Sequence, residues 1–270
     1  MSKDIIGVLD SQTQFSFDDL GEGAVPIVFI HGFPFDKTMW ELQMNHFKAS
    51  HRVIAYDIRG FGKSFDDTHE LSIELFADDL IGLLDSLHIP KAILCGLSMG
   101  GFIALNVINR FPDRVEALIL CDTQCISDPE EVKAARYNTI SQIIKLGKGE
   151  FTEDFIGKLF YQDSYETKKD KVELIRSIIR SNSQHAITRG LAALAERAET
   201  CSTLSLITAP TLVLCGHRDL ITPIAQSELL HRQIKNSTMQ VIEDAGHVSN
   251  LEQPEVFNNH IADFLEAYQL

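Results

Sequence analysis

The chain has 270 residues, of which 44% are hydrophobic and 23% are charged, a balance that is ordinary for a globular protein. Its formal net charge of −14 argues against nucleic acid and against an anionic membrane surface as partners, because both are bound through an excess of Lys and Arg. No stretch approaches the ~20 apolar residues of a membrane-spanning helix, and the first residues carry no apolar secretory signal.

The cysteines predict no special site. They are five in number and include no CxxC pair, a pattern that indicates neither a disulfide framework nor a zinc site. Cys95, Cys121 and Cys215 each end an apolar run, as small buried core residues do. The predicted compartment is therefore the cytoplasm. Because the sequence also lacks a phosphate loop and a dinucleotide fingerprint, we expect no metal and no cofactor.

In chain order, short continuous apolar runs alternate with amphipathic helical patterns, which predicts an α/β fold with a mostly parallel sheet flanked by helices. The predicted strands are residues 25–30, 52–56, 91–95, 117–121, 211–215 and 239–242. The clearest helix spans residues 73–87, with Ser72 as its N-cap. Apolar stripes predict further helices over residues 40–47 and 257–268.

One region, between about residues 123 and 206, continues with helical patterns but contains no predicted strand. Asp128, which precedes a proline and two glutamates, predicts a helix N-cap, and Gly147 predicts a stop. Thr152 and Ser183 are further predicted N-caps. An insertion between the fourth and fifth predicted strands indicates a helical cap over a site at the carboxyl edge of the sheet. The predicted division is a core of residues 1–122 and 207–270 and a cap of residues 123–206.

The candidate nucleophile is Ser98, in the pentapeptide Gly-Leu-Ser-Met-Gly over residues 96–100. Such a G-x-S-x-G pattern is weak alone, but this one lies between a predicted strand and a predicted helix. Small residues two before and two after the serine allow strand and helix to approach closely at a sharp turn. This context predicts a serine lifted above the sheet at the N-terminus of a helix.

Further motifs follow the same order as those of a known family. They are His-Gly-Phe-Pro over residues 31–34, Asp-x-Arg-Gly-x-Gly-x-Ser over residues 57–64, the segment 216–223 and Ala-Gly-His over residues 245–247. Together with residues 96–101 they resemble the oxyanion loop, structural turn, acid loop, histidine loop and nucleophile elbow of the α/β-hydrolase family. The resemblance runs from about residue 20 to the C-terminus and is weakest in the helical insertion.

The resemblance implies a base, an acid and an oxyanion hole for Ser98. The family order of nucleophile, acid and histidine implies Asp219 as the acid and His247 as the base. Asp122, which follows the fourth predicted strand, stays open as the rival acid. Two backbone N–H groups are needed for the oxyanion, and the donors implied are those of Met99 and Phe33.

The chemistry implied is acyl transfer through an acyl-enzyme, with a small-molecule ester or lactone as substrate. The motifs look closest to small esterases, cofactor-free haloperoxidases or perhydrolases, and 3-oxoadipate enol-lactonases. An enol-lactonase binds an anion and needs a cation in the cap. The arginines available there are Arg136, Arg180, Arg189 and Arg197. A non-catalytic ligand-binding member of the same fold is the alternative of another class. The oligomeric state is not indicated.

Overall fold

The computed structural model describes residues 5–8, 14–65 and 70–270. Its strands are β1 (Ile5–Val8), β2 (Gln14–Leu20), β3 (Ile27–Ile30), β4 (Val53–Tyr56), β5 (Ala92–Leu97), β6 (Val115–Cys121), β7 (Thr211–Gly216) and β8 (Ser237–Ile242). They form one 8-stranded sheet in the order β1-β2-β4-β3-β5-β6-β7-β8. Strands β1 and β2 pair antiparallel, as do β2 and β4, and all other neighbours pair in parallel.

Helices separate the strands along the chain and cover the sheet. They are α1 (Glu41–Phe47), α2 (Ile73–Ser86), α3 (Met99–Arg110), α4 (Glu130–Leu146), α5 (Gly149–Ile156), α6 (Ser164–Thr167), α7 (Lys169–Ser181), α8 (Gln184–Glu196), α9 (Ile224–Gln233), α10 (Ser249–Glu252) and α11 (Pro254–Tyr268). Every residue of β3, β4, β5 and β7 is buried. Continuous burial of this kind requires cover on both faces of the sheet, which is why these strands are apolar without alternation.

The fold class predicted from the sequence is confirmed, with a helical insertion, α4 to α8, between β6 and β7. The six predicted strands correspond to β3 through β8. Strands β1 and β2 were not predicted, because in β2 the buried Phe15 and Phe17 alternate with polar residues instead of forming a continuous run. The N-cap of α2 is as predicted, since Ser72 Oγ accepts a hydrogen bond from Leu75 N–H.

Two helix starts in the insertion differ from the prediction. Helix α4 has Pro129 as its N-cap, and the carboxylate of Asp128 instead forms ion pairs with Arg136 and Arg197. Thr152 lies inside α5, where its hydroxyl donates to the carbonyl of Lys148. A threonine can bond backward to the preceding turn in this way, so its presence near a helix start does not by itself define the cap.

The other predicted boundaries of the insertion agree with the structure. Gly147 ends α4 with a φ of 83°, a left-handed conformation that glycine adopts without steric cost. Ser183 is the N-cap of α8, where its hydroxyl oxygen accepts a hydrogen bond from Ala186 N–H.

Cys125 and Cys201 form a disulfide bond that the cysteine pattern did not predict. The two lie 76 positions apart, one just after β6 and one before β7, and only folding brings them together. Cys95, Cys121 and Cys215 are buried free thiols, as predicted. Because disulfides persist mainly in oxidising compartments, this bond weakens the cysteine argument for the cytoplasm, which stays a prediction.

Within the described residues, no helix has both the length and the apolar character needed to cross a bilayer. The prediction about the first residues of the chain falls partly on residues 1–4, which lie outside the described residues.

Candidate active site

Four candidate polar residues follow the carboxyl ends of four adjacent parallel strands. Ser98 follows β5, Asp122 follows β6, Asp219 comes after β7, and His247 comes after β8. The pairing registers align these strand ends: Leu97 pairs with Cys121, Cys121 with Leu214, and Gly216 with Ile242. Parallel strands end at the same edge of a sheet, so all four residues lie along one edge.

Ser98 occupies a strained turn between β5 and α3. Its φ of 55° and ψ of −115° lie where residues with a side chain are rarely found. A Cβ on Gly96 would collide with the carbonyl of Gly100, and a Cβ on Gly100 would collide with the carbonyl of Ile30. The glycines are therefore required by close backbone contact, and they let the turn present Ser98 at the start of a helix.

The loop after β3 lies directly against this turn. A Cβ on Gly32 would lie 3.1 Å from the Leu97 side chain, and one on Gly100 would lie 3.0 Å from the His31 carbonyl. Phe33 is thus held beside the turn. Met99 is the first residue of α3, so its N–H has no carbonyl within the helix to bond. The two backbone donors expected from the sequence lie in segments that touch each other.

His31 joins the loop after β3 to the segment after β4 through two hydrogen bonds. It is fully buried, and its Nδ1 lies 2.9 Å from the Gly32 carbonyl, while Ile58 N–H donates to Nε2 at 2.9 Å. These contacts require a neutral ring with the proton on Nδ1. Burial lowers the pKa of His31, which agrees with the neutral form. His31 is therefore a structural histidine and is not available as a base.

Asp219 and His247 form a buried hydrogen-bonded pair. Asp219 Oδ2 lies 2.7 Å from His247 Nδ1. The same carboxylate accepts hydrogen bonds from the N–H groups of Ile221 and Thr222 and from the Thr222 hydroxyl. The acid is thus fixed by its own loop, and it holds the imidazole with Nε2 facing away from the acid, as a serine base requires.

The charges of this pair stabilise each other. Burial raises the pKa of Asp219, but the attraction of His247 and the hydrogen bonds from His247 and Thr222 outweigh it and hold the pKa below its ordinary value. Burial lowers the pKa of His247, but Asp219, Asp122 and Glu252 together raise it above its ordinary value. His247 is accordingly a stronger base than a free histidine.

Asp122, the rival acid, does not contact His247 by any hydrogen bond that the structure contains. Its Oδ1 accepts from Gly216 N–H at 2.7 Å and its Oδ2 accepts from the Ser249 hydroxyl at 2.5 Å. It is fully buried, and burial followed by repulsion from Asp219 raises its pKa well above the ordinary range. Asp122 therefore links the end of β7 to α10, and the geometry favours Asp219 as the partner of the base.

One contact expected of a serine–histidine pair is not formed. His247 Nε2, which would take the proton, is buried and has no hydrogen-bond partner among the described residues. Ser98 therefore does not donate to His247 in this structure. Such bonds are often long in free enzymes and tighten when substrate binds.

Aromatic rings of the insertion pack on the loop after β3. Phe33 contacts Phe151 and Phe155 of α5, with ring centroids 6.4 Å and 6.2 Å away, and Phe61 at 6.0 Å. A cavity of about 320 Å³ lies between α4 and α5, and its apolar lining includes Phe33, Phe151, Phe155 and Ile143. Phe160, by contrast, is buried core. Phe33, whose backbone N–H is one of the expected oxyanion donors, therefore forms part of the cavity wall.

Most of the arginines considered for anion binding already have carboxylate partners. Arg136 and Arg197 pair with Asp128, and Arg180 pairs with Glu153. Arg189 lies 3.2 Å from His185 through its Nη1. Within the described residues, no group of three or more His, Cys, Asp or Glu side chains could hold a metal ion.

Comparisons with known proteins agree with this architecture. The model of the α/β-hydrolase fold family matches residues 25–254. The chain is 29% identical to 3-oxoadipate enol-lactonase 2 of Acinetobacter baylyi over 242 residues, which is 90% of this chain and 89% of that protein. A thermophilic esterase from Thermogutta terrifontis matches with a TM-score of 0.91 at 36% identity, covering 94% of each chain. The enol-lactonase from Burkholderia xenovorans LB400 matches with a TM-score of 0.88 at 28% identity, covering 94% of this chain and 97% of that one.

Proposed function

The chain belongs to the α/β-hydrolase fold family, and from that premise we propose that it is a serine hydrolase that cleaves a small carboxylic ester or lactone. The observation that carries the proposal is the buried hydrogen bond between Asp219 and His247 at the sheet edge where Ser98 occupies a strained turn. A histidine oriented by a carboxylate beside a serine at a helix start is the arrangement that activates a hydroxyl nucleophile.

The proposed reaction proceeds in two halves. Ser98 Oγ attacks the carbonyl carbon while its proton passes to His247 Nε2, and the N–H groups of Phe33 and Met99 bind the resulting oxyanion. The ester C–O bond then breaks, and His247 returns the proton to the leaving alcohol. In the second half, water gives a proton to His247 and attacks the acyl carbon. The bond between that carbon and Ser98 Oγ then breaks, His247 returns the proton to Oγ, and the acid is released. Asp219 stabilises the imidazolium in both halves.

The insertion contains a cavity that supports a small substrate, although neither Ser98 nor His247 lines it. The cavity beside Phe33 is lined by apolar and charged side chains, with Arg136, Glu150, Asp154 and Lys158 among the latter. Pockets of this size suit a small organic molecule whose apolar part is buried and whose polar part is oriented by a few groups. The relatives named as an esterase and as enol-lactonases support ester and lactone bonds as the substrate class.

Three alternative functions would use the same site: hydrolysis of an enol-lactone, perhydrolase or haloperoxidase activity, and ligand binding without turnover. The pairing of Arg136, Arg180 and Arg197 with carboxylates disfavours an anionic substrate such as 3-oxoadipate enol-lactone, because these cations are already neutralised. A perhydrolase or haloperoxidase would use the same Ser98, His247 and oxyanion donors. A non-catalytic ligand-binding protein would keep the fold without turnover.

We predict that the wild-type chain hydrolyses p-nitrophenyl acetate and butyrate faster than the octanoate. Ser98→Ala should lower kcat by at least about 10⁴-fold, because it removes the nucleophile. Ser86→Ala, at an exposed serine of α2, is the matched control and should retain full activity. The same assays with simple lactones, 3-oxoadipate enol-lactone, and acetate plus hydrogen peroxide identify the preferred reaction. Retained activity in Ser98→Ala, or no turnover of any ester or lactone by the wild type, would sink the proposal.

A further inference from the structure

Glu252 is a fully buried carboxylate that the proposed reaction does not use. Its exposed fraction is 0%. It ends α10, the short helix that begins two residues after His247. A buried carboxylate is costly unless its oxygens are hydrogen-bonded, so its partners show what it holds in place.

The hydrogen-bond partners of Glu252 come from two segments, the loop that carries His247 and the helical insertion. Its Oε1 accepts from Gly246 N–H at 2.6 Å, and Gly246 directly precedes His247. Its Oε2 accepts from Tyr161 N–H at 2.8 Å, and the Ser164 hydroxyl bonds to the same carboxylate. Tyr161 and Ser164 belong to the insertion, in the stretch after α5. One carboxylate therefore joins the loop that carries the base to the helical insertion.

A second set of contacts joins the same two segments. The N–H of His247 donates to the carbonyl of Leu159 at 2.7 Å. A Cβ on Gly246 would lie 2.6 Å from the carbonyl of Leu159 and 2.8 Å from the nitrogen of Tyr161. Residues 159–164, here called the docking segment, thus lie in direct backbone contact with the loop that carries His247.

We propose that Glu252 is a positioning residue that couples the seating of the docking segment to the orientation of His247. The proposal deepens the proposed hydrolase function and rests on it. When the docking segment is in place, Glu252 accepts from Gly246 N–H at one oxygen and from Tyr161 N–H at the other, so one side chain joins the docking segment to residues 245–247, the base loop. When the segment leaves, Glu252 loses Tyr161 and Ser164, and His247 loses the carbonyl of Leu159.

The charge of Glu252 adds an electrostatic effect to this coupling. The carboxylates that face His247 are Asp219 from the acid loop, Asp122 after β6 and Glu252 from α10, and each raises the pKa of His247. Burial raises the pKa of Glu252 itself, while the hydrogen bonds from Ser164, Gly246 and Tyr161 and the charge of Lys168 oppose that rise. Loss of the Glu252 charge should therefore lower the pKa of His247.

Glu252→Gln tests the coupling, because the amide keeps the size of the side chain but presents an NH2 group to one of the two backbone donors. We expect kcat to fall on the order of tenfold with KM little changed, since a small misplacement of a base is costly. The acidic limb of the pH dependence of kcat/KM should move to lower pH. Amide hydrogen exchange should become faster at Gly246 and Tyr161 together.

Glu255→Gln is the matched control. Glu255 lies on the exposed first turn of α11, so its removal deletes the same charge nearby without touching the docking segment. This variant should keep the kcat, the pH profile and the exchange rates of the wild type. Ser164→Ala serves if Glu252→Gln does not fold. It removes one donor from the insertion side and keeps the charge, so exchange should quicken at both amides while the acidic limb stays in place.

The coupling has readouts that do not need turnover. Titration of His247 by NMR with labelled histidine gives its pKa in each variant, and exchange gives the protection of each amide. If the wild type hydrolyses no ester, the proposed function fails, and these two readouts still decide the coupling. An unchanged His247 pKa in Glu252→Gln, or faster exchange at only one of the two amides, would overturn it.

Discussion

At the scale of single residues, three carboxyl groups act on His247, the proposed base, and each has different hydrogen-bond partners. Asp219 bonds the ring of His247 directly, Asp122 bonds the end of β7 and α10, and Glu252 bonds the base loop and the insertion. Only Asp219 has its pKa lowered, whereas burial raises the pKa values of the other two. Asp219 is therefore the carboxylate that the proposed mechanism pairs with the imidazolium of His247.

Asp219→Asn should lower kcat by on the order of 10⁴-fold, because the amide no longer fixes the tautomer or stabilises the imidazolium. The wild-type kcat/KM should fall as pH decreases through the pKa of His247, which its carboxylates raise above the ordinary 6.5. Loss of the Asp219 charge lowers that pKa, so the acidic limb of the variant should move to lower pH. Steady-state kinetics across pH with p-nitrophenyl butyrate measures both effects.

Asp122→Asn is the comparison that separates the two candidate acids. The amide oxygen can still accept from Gly216 N–H, and its NH2 group can donate to the Ser249 hydroxyl, so both links survive. Asp122 also makes no hydrogen bond to the ring of His247, so the orientation of the ring does not depend on it. The variant should lose far less activity than Asp219→Asn. A larger loss in Asp122→Asn than in Asp219→Asn would assign the acid role to Asp122 instead.

At the scale of elements, the features that the sequence predicts are those that depend on local chemistry. The cap of α2 follows from Ser72 and its spacing to the apolar stripe, and the turn at Ser98 follows from small residues around one serine. Both depend on atoms a few positions apart. Helix starts in the insertion were less predictable, because Asp128 has Arg136 and Arg197 as competing partners that only the tertiary fold supplies.

The Cys125–Cys201 disulfide closes the base of the insertion, between the end of β6 and the start of β7. Reduction, or Cys125→Ser, should lower the free energy of unfolding by up to about 4 kcal/mol, because the unfolded chain regains the entropy of a loop of this length. Urea denaturation with and without reductant measures the loss. Cys201→Ser and the double variant should lose the same amount as Cys125→Ser, since each removes the same bond. Additive losses would show that the thiols stabilise the fold separately.

At the scale of the whole molecule, the candidate site is buried and the insertion packs against two of the loops beside it. The exposed fraction of Ser98 is 9% and that of His247 is 0%. The insertion contacts the loop after β3 through Phe33 and contacts the base loop through Leu159 and Tyr161. These contacts join segments at least 88 positions apart in the chain, which explains why local sequence patterns did not indicate the role of Glu252.

Covalent labelling of the wild-type chain tests most directly whether Ser98 is the nucleophile that forms a covalent intermediate. Incubation with a fluorophosphonate probe, followed by intact mass and peptide mass spectrometry, should show one adduct per chain on the peptide that contains Ser98. His247→Ala should label much more slowly, because the serine loses its base, and Ser98→Ala should not label at all. The absence of any adduct on the wild type, or an adduct on a residue other than Ser98, would contradict the account.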